Sequence, residues 1–150
     1  MLLLISGKYL KVADSFNVYV NGVKVNGSQL TYNSIFPSTN NLYAAVPAGP
    51  QSIRITVNGR FNPDSITLAS FNKTLTANSY YSFIITDEAM TANESRQMFI
   101  QDKFALTDTN NYTLRFVNAV LNDPTAVDVY SFRSSSNIFT NISPATATDF

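Results

Sequence analysis

The side chains that could do chemistry in this sequence are carboxylates, hydroxyls and phenols, because its 150 residues include no histidine and no cysteine. The commonest general base, the usual zinc ligand and the thiolate nucleophile are therefore missing. Asp87 and Glu88 are adjacent carboxylates, but neighbours in an extended strand point to opposite faces and cannot act on one substrate as an acid and base pair. We interpret them as part of a solvated loop. The sequence thus predicts no catalytic residues and a protein that is not an enzyme.

Oxygen ligands for calcium could come from Asp102 with Asp108, or from Asp123 with Asp128. A dedicated calcium loop, however, spaces Asp, Asn and Gly in a regular ladder that is missing at both places. Asp123 stands directly before a proline, where capping of a turn is the simpler role. We expect no metal site and no cofactor, and we expect Asp128 on the outward face of a strand.

The eleven phenylalanines and eight tyrosines admit a carbohydrate-binding role, since aromatic rings can stack on sugars, although packing in a core accounts for most of them. Tyr80 and Tyr81 cannot both point inward from one regular strand, so Tyr80 is the predicted exposed ring and the candidate ligand-binding aromatic. A tyrosine at a protein interface is equally common, and sugar binding is the less favoured use of this ring. The triplet Asp64-Ser65-Ile66 resembles a short acceptor signal for O-linked glycosylation in exported bacterial proteins. Ser65 is accordingly the predicted modification site.

Charge is sparse and balanced, with ten basic and ten acidic residues distributed along the chain. No basic stripe is available to bind a nucleic-acid backbone, so nucleic acid is not an expected partner. Asn, Ser and Thr supply the polar surface, and this composition resembles that of an exported β-protein. The expected location is the cell surface or the periplasm, including association with the outer membrane. The apolar run Met1–Ile5 is too short for a membrane span and lacks a cleavage pattern. We interpret it as a first strand, with any export signal upstream or already removed.

Short runs of alternating apolar and polar residues, separated by turn residues, predict an all-β fold. Phe16–Val20 places alternate residues on one face, and Asn21-Gly22 predicts a tight hairpin before Val23–Val25. A turn is predicted at Pro47–Pro50, and the apolar positions at 66–71 fall out of step, which predicts a bulge or bend. In the strands at 52–57 and 80–86 the odd-numbered residues are expected to point inward. Strands are predicted at residues 42–46, 52–57, 66–71, 80–86, 98–101, 112–119 and 126–132.

An internal repeat divides the chain into two units. Phe16–Tyr32 is echoed by Val127–Pro144, and Leu3–Ser6 by Leu114–Val117, so the second unit begins with the same strands as the first. The predicted organisation is a complete β-sandwich at 1–106, a linker at 107–111 and an incomplete second sandwich at 112–150. Half a sandwich buries too little apolar surface to offset its ordering entropy, so a protein partner or another copy is expected to complete it. The residues expected to contact that partner are Tyr112, Leu114, Phe116, Val127, Val129, Ile138 and Phe150.

Three stretches carry a family resemblance. They are LRFVNAVLNDPTAVDVYSF at Leu114–Phe132, the VPAG turn at Val46–Gly49 followed by SIRITV, and LTANSYYSFIIT at Leu75–Thr86. Together they resemble DUF4397, a bacterial domain family of unknown function that occurs in exported proteins and lipoproteins, often in tandem. Asn78 stands where such domains often have a turn glycine, and asparagine tolerates that left-handed geometry. The resemblance implies tandem β-sandwich domains and an exported location, and the family has no established catalytic residues to transfer.

The predicted fold is thus all-β, an immunoglobulin-like or transthyretin-like antiparallel β-sandwich followed by a partial second sandwich. The leading expectation for function is a structural or interaction module of a bacterial cell-surface assembly, in which exposed strand edges bind a partner by β-augmentation. The alternative is a glycan-binding surface module that uses Tyr80. In either case the membrane is reached only indirectly, through an anchor or through the assembly. An enzyme ranks last.

Overall fold

The computed structural model describes residues 2–6, 15–31, 34–37, 42–57, 66–85, 97–104, 113–120 and 124–150. Every regular element in these ranges is a strand, as the alternating pattern predicts. The strands are β1 (Leu2–Ser6), β2 (Ser15–Val20), β3 (Val23–Lys24), β4 (Leu30–Thr31), β5 (Ile35–Phe36), β6 (Gly49–Val57), β7 (Ile66–Leu75), β8 (Tyr80–Ile85), β9 (Gln97–Asp102), β10 (Val117–Asn118), β11 (Val127–Ser131), β12 (Ser136–Ile142) and β13 (Thr146–Ala147).

Two sheets face each other and form the sandwich. One has the strand order β5-β1-β8-β9, and the other has the order β3-β2-β6-β7, with β4 also pairing β2. Phe71 of β7 and Phe83 of β8 meet between the sheets, with ring centroids 4.6 Å apart. The predicted all-β sandwich is therefore confirmed. Its buried core consists of Phe16, Val18, Val20, Leu30, Ile53, Ile55, Val57, Leu68, Ala69, Phe71, Leu75, Tyr81, Phe83 and Ile85.

The first hairpin folds as its sequence predicts. Phe16, Val18 and Val20 on one face of β2 are buried in the core. Asn21 and Gly22 have φ angles of 50° and 79°, and these are residue types that enter the left-handed region at low cost. The chain can therefore turn directly from β2 into β3.

Asn26 fills the gap between the short ladders that β2 forms with β3 and β4. Its buried amide accepts a hydrogen bond from Val18 N (2.7 Å) and donates to Asn17 Oδ1 (3.0 Å) and Ser28 O (2.8 Å). A buried backbone N–H without a partner would be destabilising. One side chain thus replaces the strand partner that β2 lacks at this point.

The ladder between β6 and β7 contains the bulge that the sequence predicts. Ile55 lies opposite Ala69 and Thr56 lies opposite Thr67, which leaves Leu68 as the extra residue. The bulge allows the consecutive residues Leu68 and Ala69 both to be buried. Ile66, the first residue of β7, lies opposite the buried Val57 at the end of the ladder and is 47% exposed although it is apolar.

Two predictions about residues 42–50 are wrong. Residues 42–46 contain a single bridge residue, Ala44, instead of a strand, and Gly49 and Pro50 begin β6 instead of forming a turn. The reason is that β6 pairs β2 on one side and β7 on the other, so both of its edges are occupied. No edge of β6 is left for residues 42–46, which instead carry Tyr43 to the polar cluster described below.

One ladder differs from the antiparallel arrangement that the sequence predicts. β1 runs parallel to β8, with Leu2 opposite Tyr81 and Ser6 opposite Ile85. A parallel pair cannot be joined by a tight turn and needs a long crossover connection. Here the chain between the two strands contains every strand of the facing sheet.

Residues 113–150 contain two short antiparallel ladders, in which β10 pairs β13 and β11 pairs β12. Asn118 Nδ2 donates a hydrogen bond to Ile142 O (3.0 Å) and so connects β10 to the end of β12. Phe116 N donates to Thr148 Oγ1 (3.0 Å), and Thr148 N donates to Phe116 O (3.0 Å). These bonds tie the two ladders into one small β-structure.

The predicted strand boundaries in this part of the chain are only partly correct. Of the strand predicted at 112–119, the described residues 113–119 contain only the two residues of β10, whereas the strand predicted at 126–132 is present as β11. The predicted linker at 107–111 and the predicted loop around Asp87 lie outside the described residues. The division into 1–106 and 112–150 therefore stays a prediction.

Candidate interaction surfaces

Asp102, the last residue of β9, is the centre of a buried polar cluster that we call the Asp102 cluster. Its Oδ2 accepts hydrogen bonds from the Tyr43 hydroxyl (2.9 Å) and from Ser82 Oγ (2.7 Å), and its Oδ1 forms an ion pair with Arg115 Nη1. The Asp102 side chain is completely buried and that of Arg115 is nearly so. A buried charge is tolerated only when it is paired and hydrogen-bonded, and these three donors meet that condition.

Tyr43 is held in its neutral form in this cluster. Burial, followed by the hydrogen bond to Asp102 and the negative charge of that carboxylate, raises the pKa of Tyr43 from 10.0 to about 12. A phenol with such a pKa keeps its proton at neutral pH and is poorly matched to act as a general base there. Tyr43 therefore serves as a hydrogen-bond donor to Asp102.

Arg115 connects the sandwich to the C-terminal β-structure. Its guanidinium carbon lies 4.3 Å from the centre of the Phe150 ring, which is a cation–π geometry. Arg115 Nε is buried and has no hydrogen-bond partner within the described part of the chain. Asp102 on one side and Phe150 on the other thus hold the cation. This contact places residues on either side of the predicted linker against each other.

Four rings form an aromatic cluster next to this ion pair, those of Tyr43, Tyr80, Phe104 and Phe150. Ring centroids are 5.2 Å apart for Tyr43 and Tyr80, 5.3 Å for Tyr80 and Phe104, and 4.9 Å for Phe104 and Phe150. Tyr80 is 38% exposed, whereas Tyr81 is buried, so the predicted orientation of these neighbouring tyrosines is confirmed. Ligand binding by Tyr80 stays a prediction.

A second apolar surface lies on the β11–β12 hairpin, and we call Tyr130, Phe132 and Ile138 the hairpin surface. Phe132 is 91% exposed, Tyr130 is 49% exposed and Ile138 is exposed as well. The rings of Tyr130 and Phe132 pack edge to face, 5.2 Å apart. Of the strands in the described ranges, only β12 pairs with β11. Among the described residues, the second edge of β11 thus has no partner strand and can accept one.

Asp128 organises the outer face of this hairpin. Its Oδ1 accepts a hydrogen bond from Asn141 N (2.7 Å), and its Oδ2 accepts one from Asn137 Nδ2 (3.1 Å). The side chain is exposed, as the sequence analysis predicts for this position. Its possible calcium partner, Asp123, lies outside the described residues, as does Asp108.

The residues predicted to contact a partner have different surroundings. Leu114 and Ile138 are exposed, and Phe150 belongs to the aromatic cluster. Tyr112 lies outside the described residues, as does Ser65, the predicted glycosylation site.

The remaining predicted contact residues are half-buried. Phe116 stacks on Phe139, with ring centroids 6.3 Å apart, and Val127 and Val129 of β11 are only partly covered. Phe16 and Val18, with which the predicted repeat aligns these two valines, are completely buried. The inner face of β11 is thus less well covered than that of β2.

Sequence reasoning missed the Asp102 cluster. One signal for it exists, because Arg115 occupies the position that Leu4 holds in the first unit of the repeat. A cation in an otherwise apolar strand pattern indicates a buried ion pair or a functional site. Nothing in the sequence indicates Tyr43 or Ser82 as neighbours of Asp102, because they come from distant segments.

Within the described ranges, no group of three or more His, Cys, Asp or Glu side chains comes together as a metal site would require. The same ranges contain no helix that is long and apolar enough to cross a membrane. A shallow cleft lies beside the aromatic cluster, and its lining includes Val46, Leu75, Asn78 and Tyr80.

The chain matches the family model of the domain of unknown function DUF4397 over residues 10–130. No curated protein and no solved structure matches the chain. The matched range runs from the sandwich through the predicted linker into β11, and the predicted second copy stays a prediction. Since the match covers most of the chain, this protein belongs to the DUF4397 family of domains of unknown function.

Proposed function

We propose that this protein is a non-enzymatic interaction module that binds a protein partner, or another copy of itself, through exposed strand edges. The observation that carries the proposal is the β11–β12 hairpin, which has an open edge and the exposed rings of Tyr130 and Phe132. Clustered apolar side chains that remain exposed are typical of interaction sites. The hairpin therefore supplies both the backbone groups and the apolar contacts that strand addition requires.

The energetics of the hairpin support this role. An isolated pair of strands is marginally stable in water and needs a further strand or a packed face. Here the inner-facing Val127 and Val129 are only half-buried, although the same positions are completely covered in the first sandwich. A partner strand on the open edge of β11 would complete this coverage.

The Asp102 cluster also supports the proposal, because it fixes the position of the C-terminal β-structure. The ion pair between Asp102 and Arg115 anchors the C-terminal β-structure to the end of β9. An anchored hairpin loses less conformational freedom on binding than a free one, and this favours affinity. The hairpin surface is thus presented on a fixed base.

We place this module outside the cytoplasm, at the bacterial cell surface or in the periplasm, as a subunit of a surface or outer-membrane-associated assembly. Membrane attachment would be indirect, through an anchor or through the assembly. The support is the exported setting that the resemblance to DUF4397 proteins implies, together with a polar surface rich in Asn, Ser and Thr. A formal net charge of zero disfavours nucleic acid as the partner.

Site-specific photocrosslinking in cells tests the proposal. A photoreactive phenylalanine analogue replaces Phe132 in one protein and Val23, an exposed apolar residue of β3, in the matched control. We expect one discrete protein adduct from position 132 that position 23 does not give. An adduct pattern that is identical at both positions, or no adduct at all, would contradict the proposal.

A glycan-binding module is the second candidate, and the exposed ring of Tyr80 beside the shallow cleft favours it. Aromatic rings at the margin of a cleft can bind sugars by stacking. The test is Tyr80→Ala in a glycan array, with circular dichroism to show that the fold is retained. The candidate would be excluded if no glycan on the array binds the wild type and fails to bind this variant.

A further inference from the structure

The first sandwich shows what kind of strand the open edge of β11 lacks. By the internal repeat, β2 is the counterpart of β11, and the second edge of β2 is occupied by β6. In that ladder Tyr19 lies opposite Arg54, and Arg54 is flanked by Ile53 and Ile55. β6 therefore completes β2 with an apolar–cation–apolar sequence.

The apolar residues and the cation of this sequence make contacts on opposite faces of the strand. Ile53 and Ile55 are completely buried between the sheets. Arg54 projects to the other face, where its guanidinium carbon lies 5.0 Å from the centre of the Tyr19 ring. The strand thus supplies core packing on one face and a cation–π contact on the other.

β11 carries counterparts of the β2 residues that β6 covers, but among the described residues it has no strand like β6 beside it. Tyr130 corresponds to Tyr19 and Val129 corresponds to Val18. The Tyr130 ring is 49% exposed, and Val129 is half-buried where Val18 is completely buried. Both faces of β11 are therefore incompletely covered, and a strand like β6 beside it would cover them.

The charge on β11 adds a preference that β2 does not have. Asp128 and Tyr130 lie two residues apart on the same outward face, since side chains alternate along a strand. The position of Asp128 is occupied in the first unit by the neutral Asn17. A cation that stacks on Tyr130 would come close to this carboxylate, which favours Lys or Arg at the central position.

We propose that the open edge of β11 binds an extended, antiparallel segment of a partner protein that carries a Lys or Arg between two β-branched apolar residues. The cation stacks on Tyr130, and the apolar side chains cover Val129 and its neighbours. This inference rests on the proposed function and names the chemistry of the partner. An intact second copy does not offer its β6, because β2 and β7 occupy both edges of that strand.

A synthetic peptide with the sequence of β6, GPQSIRITV, is the probe. Fluorescence anisotropy of the labelled peptide measures its affinity for the full 150-residue chain, and a scrambled peptide is the control. We expect saturable binding of the β6 peptide alone. In the NMR spectrum of the isotope-labelled protein, the amides of residues 127–131 should shift, and those of residues 17–20 in β2 should not.

A double-mutant cycle tests the cation–π contact. An exposed contact of this kind contributes enough to weaken the Arg54→Ala peptide by about two- to five-fold. With Tyr130→Leu in the protein, the two peptides should bind equally well. Tyr19→Leu is the matched protein control and should leave the preference for arginine unchanged.

The inference would be overturned by no binding of the β6 peptide, by shifts at residues 17–20 in place of 127–131, or by a preference for arginine that survives Tyr130→Leu. Self-association without peptide that Tyr130→Leu abolishes would assign the edge to a second copy and would also overturn it. If position 132 gives a discrete photocrosslink but the β6 peptide does not bind, the proposed function stands and the partner chemistry proposed here is wrong.

Discussion

The ion pair between Asp102 and Arg115 makes the sharpest prediction about stability. Arg115→Met removes the guanidinium but keeps a long apolar side chain, so Asp102 remains buried with only Tyr43 and Ser82 as donors. Removal of one partner from a buried pair destabilises proteins by about 3–5 kcal/mol. Because two hydrogen bonds to Asp102 survive, we expect a loss near the lower limit, about 3 kcal/mol.

The double variant D102N/R115M separates the buried charge from the other contacts. The amide side chain that replaces the Asp102 carboxylate is neutral and can still bond with the hydroxyls of Tyr43 and Ser82, so only modest hydrogen-bond losses of about 1–2 kcal/mol remain. The double variant should therefore be more stable than R115M alone. Such a recovery is expected only if an uncompensated buried charge causes the loss in the single variant.

Guanidinium chloride unfolding followed by circular dichroism measures these differences. Arg133→Met is the matched control, because Arg133 is exposed in the turn between β11 and β12 and its replacement should change the free energy of unfolding by less than about 0.5 kcal/mol. A loss below about 1 kcal/mol for R115M, or a double variant no more stable than R115M, would refute the argument that this pair anchors the C-terminal β-structure.

Three further predictions concern single side chains. Asn26→Ala removes the buried hydrogen bonds that Asn26 makes with Val18 N and Asn17 Oδ1, and we expect a loss of about 2–3 kcal/mol in the same unfolding assay; a loss below about 0.5 kcal/mol would contradict the role given to Asn26. The pKa of Tyr43 is raised from its ordinary value of 10.0 to about 12 by folding, so the stability that depends on its neutral form is complete below pH 10 and is lost between pH 10 and pH 12. The stability advantage of the wild type over Tyr43→Phe should therefore decline in that window, and a difference independent of pH would show that the raised pKa is wrong. Asn78 has a φ angle of 57°, so Asn78→Ala should lower the melting temperature and Asn78→Gly should not; equal effects would argue against a left-handed requirement at this turn.

The parts of the fold that the sequence predicted are those fixed by local pattern. The alternation of Phe16, Val18 and Val20, followed by Asn21-Gly22, encodes a hairpin within a few residues, and the structure has it. The bulge at Leu68 was likewise predictable, because an apolar pattern of period two that slips by one residue requires an extra residue in the ladder.

The parts that could not be predicted depend on partners that are far apart in the chain. Residues 42–46 have a strand-like composition, but they cannot pair with the following strand β6, because β2 and β7 occupy both of its edges. The Asp102 cluster brings together Tyr43, Ser82 and Arg115 from three separate segments, and only the unusual charge of Arg115 marked one of them. Side-chain clusters of this kind are determined by tertiary placement, which local propensity does not contain.

The parallel pairing of β1 with β8 has a consequence for how the chain is made. Synthesis produces β1 long before β8, yet its longest ladder requires residues 81–85 of that strand. Local pairs such as β2 with β3 and β6 with β7 can close as they emerge, whereas this sheet must wait for the middle of the chain. During translation or translocation the apolar β1 segment would stay without its main neighbour for that interval, and a holdase chaperone that protects extended apolar strands would find its binding site there.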